Sequence, residues 1–560
     1  MAGRAENRFR VRPRAAAGLR RRLLLAAWVA LLLGTARAPA QIVGSSSAIG
    51  TTSAVGTTSA IGTIGASGLP SADPDPPGCA RPLPAHEARF LAERVVAPRK
   101  EAWQNQHGGL AAAKEQVRAR LAGWPSRVLV DRASLPADDD GFLRRLARDT
   151  WNGLAAFVDR EHGLPVDHVR LCGGSLEAES VKIGDYTTGT NVGLHLAAIA
   201  GAFDLGLVSR DEALARARRV LESLRRLETH AGFFFNYYDT TTLERTSPFV
   251  SFVDSAWLTA GLIVLRQAFT ELWDECSRLV DSQDYGYFYD PDAALMLHGV
   301  TVQDGEVQRS RYHYGTLYTE ARIGSLIAIA QGHAPEAHWF AMRRTLPPSM
   351  HWQRQRPAGR SVKTVRGHRV AGGTYAWGGV RYVPSWGGSA FEALMPSLTL
   401  DERAHAPRSL GRNGEAHALI QRRFAREALG WEIWGLSPST QPANIDYGEF
   451  GVPDLGMSGY APRIVTPHAS ALALAVAPEA ATANLRRIAE RYAAYGEYGL
   501  YDAVDPKSGA VAYAYLSLDQ SMSFVALVNH LQQGSIQKRF AADPAVAPAL
   551  ELLRDEDFFE

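Results

Sequence analysis

The chain has 560 residues, 46% hydrophobic, 9% aromatic and 21% charged, which is a globular composition and excludes a disordered or fibrous one. Sixty Lys and Arg against 58 Asp and Glu leave a charge of +2, so no basic field favours nucleic acid or an anionic membrane as the partner. Three cysteines (Cys79, Cys172 and Cys276) exclude a disulfide framework and allow at most one bridge.

Residues 1–40 read as a secretory signal peptide. Arg20-Arg21-Arg22 precede an apolar run from Leu23 to Leu33, and Ala38-Pro39-Ala40 forms a cleavage-like site. The run is too short to span a bilayer, which needs about 20 residues. Residues 41–84 read as a low-complexity linker. Near-repeats of Ser-Ala-Ile-Gly-Thr-Thr and then a Pro-rich stretch cannot bury enough surface to offset ordering entropy. The mature protein is thus expected to be exported, to periplasm or medium, with no integral membrane span.

Residues 85–140 are expected to form a helical extension. The body then shows recurring helix-period segments: Gly141–Arg148, Trp151–Asp159, Asn191–Leu207, Val253–Trp273, Tyr314–Gln331, Gly388–Leu398, Asn413–Gly430, Pro478–Tyr495 and Leu518–Leu531. Ser209 with Glu212 three residues on has the capping-box spacing and opens a helix to about Thr229. Strand-period alternation is scarce, and its best instance, Val362–Tyr382, predicts a small inserted β-hairpin. About six helical hairpins with long loops suggest an all-α (α/α)6 toroid. Residues 141–310 and 311–545 supply its two parts, and 546–560 form a tail.

Two acids fall on apolar faces. Helical phase aligns Glu320 with Leu317, Ile323, Gly324 and Ile327, and Asp254 with Trp257, Leu258, Gly261 and Leu265. A buried ionised carboxylate is costly unless paired, so each needs a partner, a raised pKa or a wet cleft. Two carboxylates flanking a cleft suit glycosidic cleavage: one donates a proton to the leaving oxygen, and the other activates water or attacks the anomeric carbon. Loop aromatics such as Trp377, Trp386, Trp431, Trp434, Tyr447, Tyr460, Tyr495 and Tyr498 are candidate sugar platforms. Further acids compete: Glu392, Glu449, Asp454, Glu497, Asp502, Asp505, Asp185 and Asp239, with Asp519 read more simply as a helix cap. No metal-ligand spacing, dinucleotide or phosphate loop, or nucleophile elbow appears, so no metal and no cofactor are expected.

These stretches are recognisable. Tyr314–Ala330, Ser385–Pro396, Trp434–Ser439, Tyr447–Gly456, Thr466–Leu472, Tyr495–Asp505 and Leu518–Met522 resemble the bacterial glucoamylase-like domain. Trp151–Phe157, Tyr186–Leu207 and Gly232–Leu243 resemble the DUF3131 region often found before it. The resemblance covers about residues 140–545. It implies an (α/α)6 barrel and kinship with endo-β-1,2-glucanases and the glycan-cleaving domain of cyclic β-1,2-glucan synthases. It implies that Glu320 is the general acid and that Asp254, where the family often carries Glu, is a second functional acid. The synthase type carries an acid in the loop matching Trp434–Thr440, and this chain has none there.

The expected activity is therefore cleavage of a β-glucan, most readily β-1,2-glucan, with Glu320 and Asp254 catalytic. Inversion would place two carboxyl groups about 6.5–9.5 Å apart. The expected substrate-binding set is Asp185, Tyr238, Asp239, Trp257, Tyr314, Arg322, Trp386, Glu392, Trp434, Tyr447, Glu449, His468, Tyr498, Asp502 and Asp519. The expected partner is a polysaccharide or oligosaccharide. The alternatives are a non-catalytic glycan-binding or envelope-assembly protein, a transglycosylase on β-1,2-glucan, and a glycosidase for another exported polysaccharide.

Overall fold

The structure, a computed structural model, describes residues 98–108, 110–442 and 447–560. The signal-peptide and linker readings lie outside these residues. Two short helices, α1 (Pro98–Gln106) and α2 (Leu110–Arg120), precede the body. The expected pair Gly141–Arg148 and Trp151–Asp159 is one helix, α3 (Asp139–Ala156), started by Asp138, whose side chain accepts from the Gly141 N–H.

The body is built from two kinds of helix. One kind is buried on nearly every side: α4 (Gly189–Asp204), α6 (Phe252–Ala268), α8 (Arg322–Ala330), α9 (Ala390–Leu394), α11 (Pro467–Ala473) and α13 (Ser517–Leu531). The other kind is amphipathic: α5 (Arg210–Arg226), α7 (Trp273–Asp281), α10 (Leu410–Arg423) and α12 (Pro478–Arg491). In α5, Ala213, Leu214, Ala217, Val220, Leu221 and Leu224 make the buried stripe. Ser209 caps it at 3.2 Å from the Glu212 N–H, as the spacing predicts.

Among the buried helices, α4 packs on α6, α6 on α8, α9 on α11, α11 on α13, and α13 on α4. Arg322 of α8 reaches the carbonyls of Glu392 and Ala393 in α9. The α4–α6 crossing is backbone to backbone. A Cβ on Gly193 would lie 2.2 Å from the Trp257 carbonyl oxygen, and one on Gly261 2.0 Å from that of Gly193. Only glycine permits that approach, which explains why these apolar helices are rich in small residues. The arrangement is helix-rich and consistent with an α/α toroid.

The fold is not all-helical, however. Small antiparallel sheets of two or three strands sit between the helices. In one, β1 (His168–Leu171) pairs with β2 (Val181–Gly184) and with a strand at Ala514–Leu516. In another, residues Gly359–Val365, His368–Trp377 and Val380–Tyr382 form a three-stranded meander. Its first turn places Arg366 and Gly367 at φ +49 and +82.

Several expected helices are shorter than their apolar periodicity suggests. Val253–Trp273 breaks at Phe269, and Tyr314–Gln331 becomes helical only at Arg322. Thr316 is instead bridged to Arg343, which takes the preceding residues out of helical phase. Residues 546–560 pack into the body, where buried Glu556 pairs with Arg344 at 2.5 Å. Cys172 is disulfide-bonded, and Cys276 is a free buried thiol, pushed up to about 12 by burial, so these two do not pair. Among the described residues, no helix is long and apolar enough to cross a membrane.

Candidate active site

The N-terminal ends of the buried helices carry the polar residues. Thr188 caps α4 through the Asn191 N–H at 3.0 Å, and Ser251 caps α6 through the Asp254 N–H at 3.3 Å. Asp254 stands in the first turn of α6, Glu392 in that of α9, His468 in that of α11 and Asp519 in that of α13. Glu320 lies in the turn just before α8 and not within a helix, so the face-based argument for its orientation does not hold. Asp519 does not cap α13: the cap position is Leu516, with no side-chain bond. Helix N-termini favour negative charge, so acids placed there are partly stabilised before any counter-ion is considered.

Asp254 is buried and accepts from the Thr190 hydroxyl at 2.7 Å on Oδ1, while Oδ2 has no hydrogen-bond partner. Burial raises its pKa, against the pull of Ser251, Thr190 and Asn236. It lines a cavity of about 30 Å³ together with Asp167, Thr188, Asn191, Asn236 and Tyr447, enough for a water molecule or two. Asp167, which no motif marked, is held by Asn191 Nδ2 at 3.1 Å and by His168 Nδ1 at 2.9 Å.

Two tyrosines lie within electrostatic reach of these acids. The Tyr447 hydroxyl is held well above its ordinary pKa by burial and then by Asp519, Asp502, Glu449 and Asp167. Tyr460 is raised likewise by burial and then by Glu392, Glu449, Glu320 and Tyr447. The two rings therefore stand amid acids from separate helix ends and loops. Glu449 is lifted to about 7, by burial and then by Glu392, with the Tyr460 hydroxyl opposing. Asp519 is also lifted to about 7, by burial with Asp167 adding, while Asp502 opposes. Asp502 is raised well above the carboxylate range by burial and then by Asp519. His468 is lowered to about 4 by burial and stays neutral.

Glu320 has no exposed surface. Its neighbour Arg322 binds Glu402 at 2.7 and 3.1 Å and the carbonyls of Thr319, Glu392 and Ala393. Glu392 closes a capping box with Ser389 and accepts from the Ser385 hydroxyl and the Gly387 N–H, so it braces the α9 entrance. Asp185 and Asp239 both pair with Lys100 of α1, the latter at 3.0 Å. Tyr238 donates to the Glu228 carbonyl, and Trp257, Trp434, Tyr314 and Tyr498 are packed in the core. These side chains hold the frame around the acids. Trp386 is different: it is half-buried beside Trp352, which is 51% exposed, with ring centroids 5.3 Å apart. Trp352 went unnoticed in the sequence because a lone surface Trp carries no periodic signal.

Residues 145–333 match the family model "Protein of unknown function (DUF3131)", and residues 365–544 match "Putative glucoamylase". The two matched stretches follow one another along the body. It is homologous to the cyclic β-(1,2)-glucan synthase NdvB of Rhizobium meliloti (strain 1021), 24% identical over 74% of this chain, and spans 18% of that protein's length. In fold it matches an endo-β-1,2-glucanase from Chitinophaga pinensis (TM-score 0.57, 17% identity, 75% of this chain and 98% of that one). It also matches a β-1,2-glucanase from Parabacteroides distasonis (TM-score 0.60, 16% identity, 75% and 60%). The stretch matched to the glucoamylase model thus holds helices α9 to α13 with Glu392, Glu449, His468, Asp502 and Asp519, while the stretch matched to DUF3131 holds Asp167, Asp254 and Glu320.

Proposed function

We propose that the protein is an exported glycoside hydrolase that cleaves a β-glucan, with β-1,2 linkages its first substrate. The observation that carries this reading is the gathering of acids from separate helix ends and loops around Tyr447 and Tyr460. General acid–base cleavage needs a protonated acid and an ionised one side by side at neutral pH, and burial with like-charge neighbours produces that split. Glu320 is the proposed general acid. Asp254, beside the water-sized cavity it shares with Asp167, is the proposed partner that orients the attacking water, in an inverting reaction. Glu320 is covered, so the residues over it must move when a glycan binds. The glucanase neighbours and the synthase relative support a β-1,2-glucan. The Trp352–Trp386 pair offers ring faces to a sugar chain. The signal-like N-terminus supports export, as does the bonded state of Cys172, because disulfides persist in oxidising compartments.

The test is direct. Purified protein and its Glu320→Gln variant are incubated with linear β-1,2-glucan and with a panel of β-1,3-, β-1,4- and α-1,4-glucans, and new reducing ends are scored. The reading expects release from β-1,2-glucan by the wild type alone. Products longer than the substrate would mean transglycosylation. Binding without turnover would mean a glycan-binding protein on this scaffold.

A further inference from the structure

His468, Asp502 and Asp519 reach one point from three separate segments: the first turn of α11, the loop after α12, and the first turn of α13. Each is only 2% exposed. One ligand atom from each lies within 4.8 Å of the others, and His468 Nδ1 stands 3.3 Å from Asp519 Oδ2. His468 Nδ1, Asp502 Oδ1 and Asp519 Oδ2 have no hydrogen-bond partner outside the cluster, where the two aspartates stand within hydrogen-bond reach of each other. Other atoms of the same side chains are anchored: Asp502 Oδ2 accepts from the Thr440 N–H at 2.6 Å, and His468 Nε2 lies 3.3 Å from the Thr466 hydroxyl. With the proton on Nε2, the Nδ1 lone pair faces Asp519.

The charge is unbalanced. Among the described residues, no Lys or Arg pairs with Asp502 or Asp519, and Asp167 adds to the negative potential. The helix N-termini of α11 and α13 relieve part of it, and they also oppose a cation, but a half-charge does not balance two buried carboxylates. A divalent ion does. At metal–ligand distances of about 2.0–2.2 Å, neighbouring ligand atoms lie roughly 3.0–3.5 Å apart; His468 Nδ1 and Asp519 Oδ2 already stand at that spacing, and all three ligand atoms lie within 4.8 Å of one another. One imidazole and two carboxylates form a borderline donor set, suited to zinc or manganese rather than calcium or magnesium. The outer hydrogen bonds, from Thr440 and at Thr466, orient the ligands as supporting groups do around such ions.

We propose that His468, Asp502 and Asp519 bind one divalent transition-metal ion of the zinc or manganese kind. Three protein ligands leave positions open for water or a sugar hydroxyl. The site does not rest on the glycosidase reading. No residue spacing announces it, because its ligands are distant in sequence and meet only where two helices begin side by side.

The full chain, treated with EDTA and dialysed, is titrated calorimetrically with Mn²⁺ and with Zn²⁺, and bound metal is counted by elemental analysis. One ion per chain is expected, with micromolar affinity or better, and with a rise in Tm on binding. His468→Ala and Asp519→Asn should each weaken binding by about tenfold or more, whereas Glu449→Gln should not. Pulsed EPR of the Mn²⁺-loaded wild type should show one directly coordinated imidazole nitrogen, a readout that needs no folded variant. Absence of saturable binding, or Mn²⁺ without nitrogen coupling, would overturn the site and leave a pair of aspartates sharing a proton. Neither result depends on glycan cleavage, so the glycosidase reading stands or falls separately.

Discussion

Two acid clusters in this protein are treated in opposite ways. Asp185 and Asp239 are joined through Lys100, and Glu402 lies against Arg322, so these carboxylates are matched by cations. Asp254, Glu449, Asp502 and Asp519 meet no Lys or Arg among the described residues, so burial raises their pKa values with no such cation opposing it, whereas at Asp239 Lys100 opposes the same rise. Matched acids fix geometry. Unmatched acids hold their protons more tightly than free carboxylates do and are available for chemistry or a ligand. The number of acids thus says little about where function lies, and the distribution of their cations says much.

The largest effect should come from the proposed proton donor. Glu320→Gln should lower glucan cleavage about 10²- to 10⁴-fold, the usual worth of a general acid, with an unchanged unfolding curve. A variant that keeps its activity would move the proton donor to another acid, Glu449 first.

On the matched side the effect should be on stability. Arg322→Met strands the buried Glu402 and should cost about 3–5 kcal/mol, measured by urea unfolding. Lys100→Met should cost less, about 1–3 kcal/mol, because Asp185 keeps some access to water. A second change, Asp239→Asn, should recover part of that loss. If Arg322→Met proves harmless, the contrast between the two clusters fails.

The smallest effect is in pH dependence. Glu449 in the folded state is raised to about 7, above its unfolded value near 4.5, so the native protein holds more protons between these values. Stability should therefore fall as pH rises from about 4.5 to 7. Glu449→Gln removes that contribution, and its Tm should decline less over the same window, by a few degrees at most. A variant whose Tm falls as steeply as the wild type would show that Glu449 is not the residue that titrates.

Parts of the fold were legible in the chain. The stretch Arg210–Arg226 shows a capping serine, acids in its first turn, arginines in its last and an apolar stripe, and each of these signals is local. The buried helices were legible as apolar runs. The position of Glu320 was not: Tyr314–Glu320 has helical periodicity, but long-range pairing to Arg343 holds it in turns. The sugar-platform reading of loop aromatics also weakens, since Trp431, Trp434, Tyr495 and Tyr498 are core residues, whereas Trp352 and Trp386 face outward. Asp167 went unmarked because it precedes a four-residue strand and carries no motif.

By itself the sequence determined the kinds of helix, their starts and the identity of the acids, because capping and amphipathy are set by residues three or four apart. Only the tertiary structure decided which acids are matched. Lys100 lies far in sequence from Asp239, and His468 far from Asp519; whether such groups meet depends on how helices pack, which at Gly193 and Gly261 is fixed by contact between backbones.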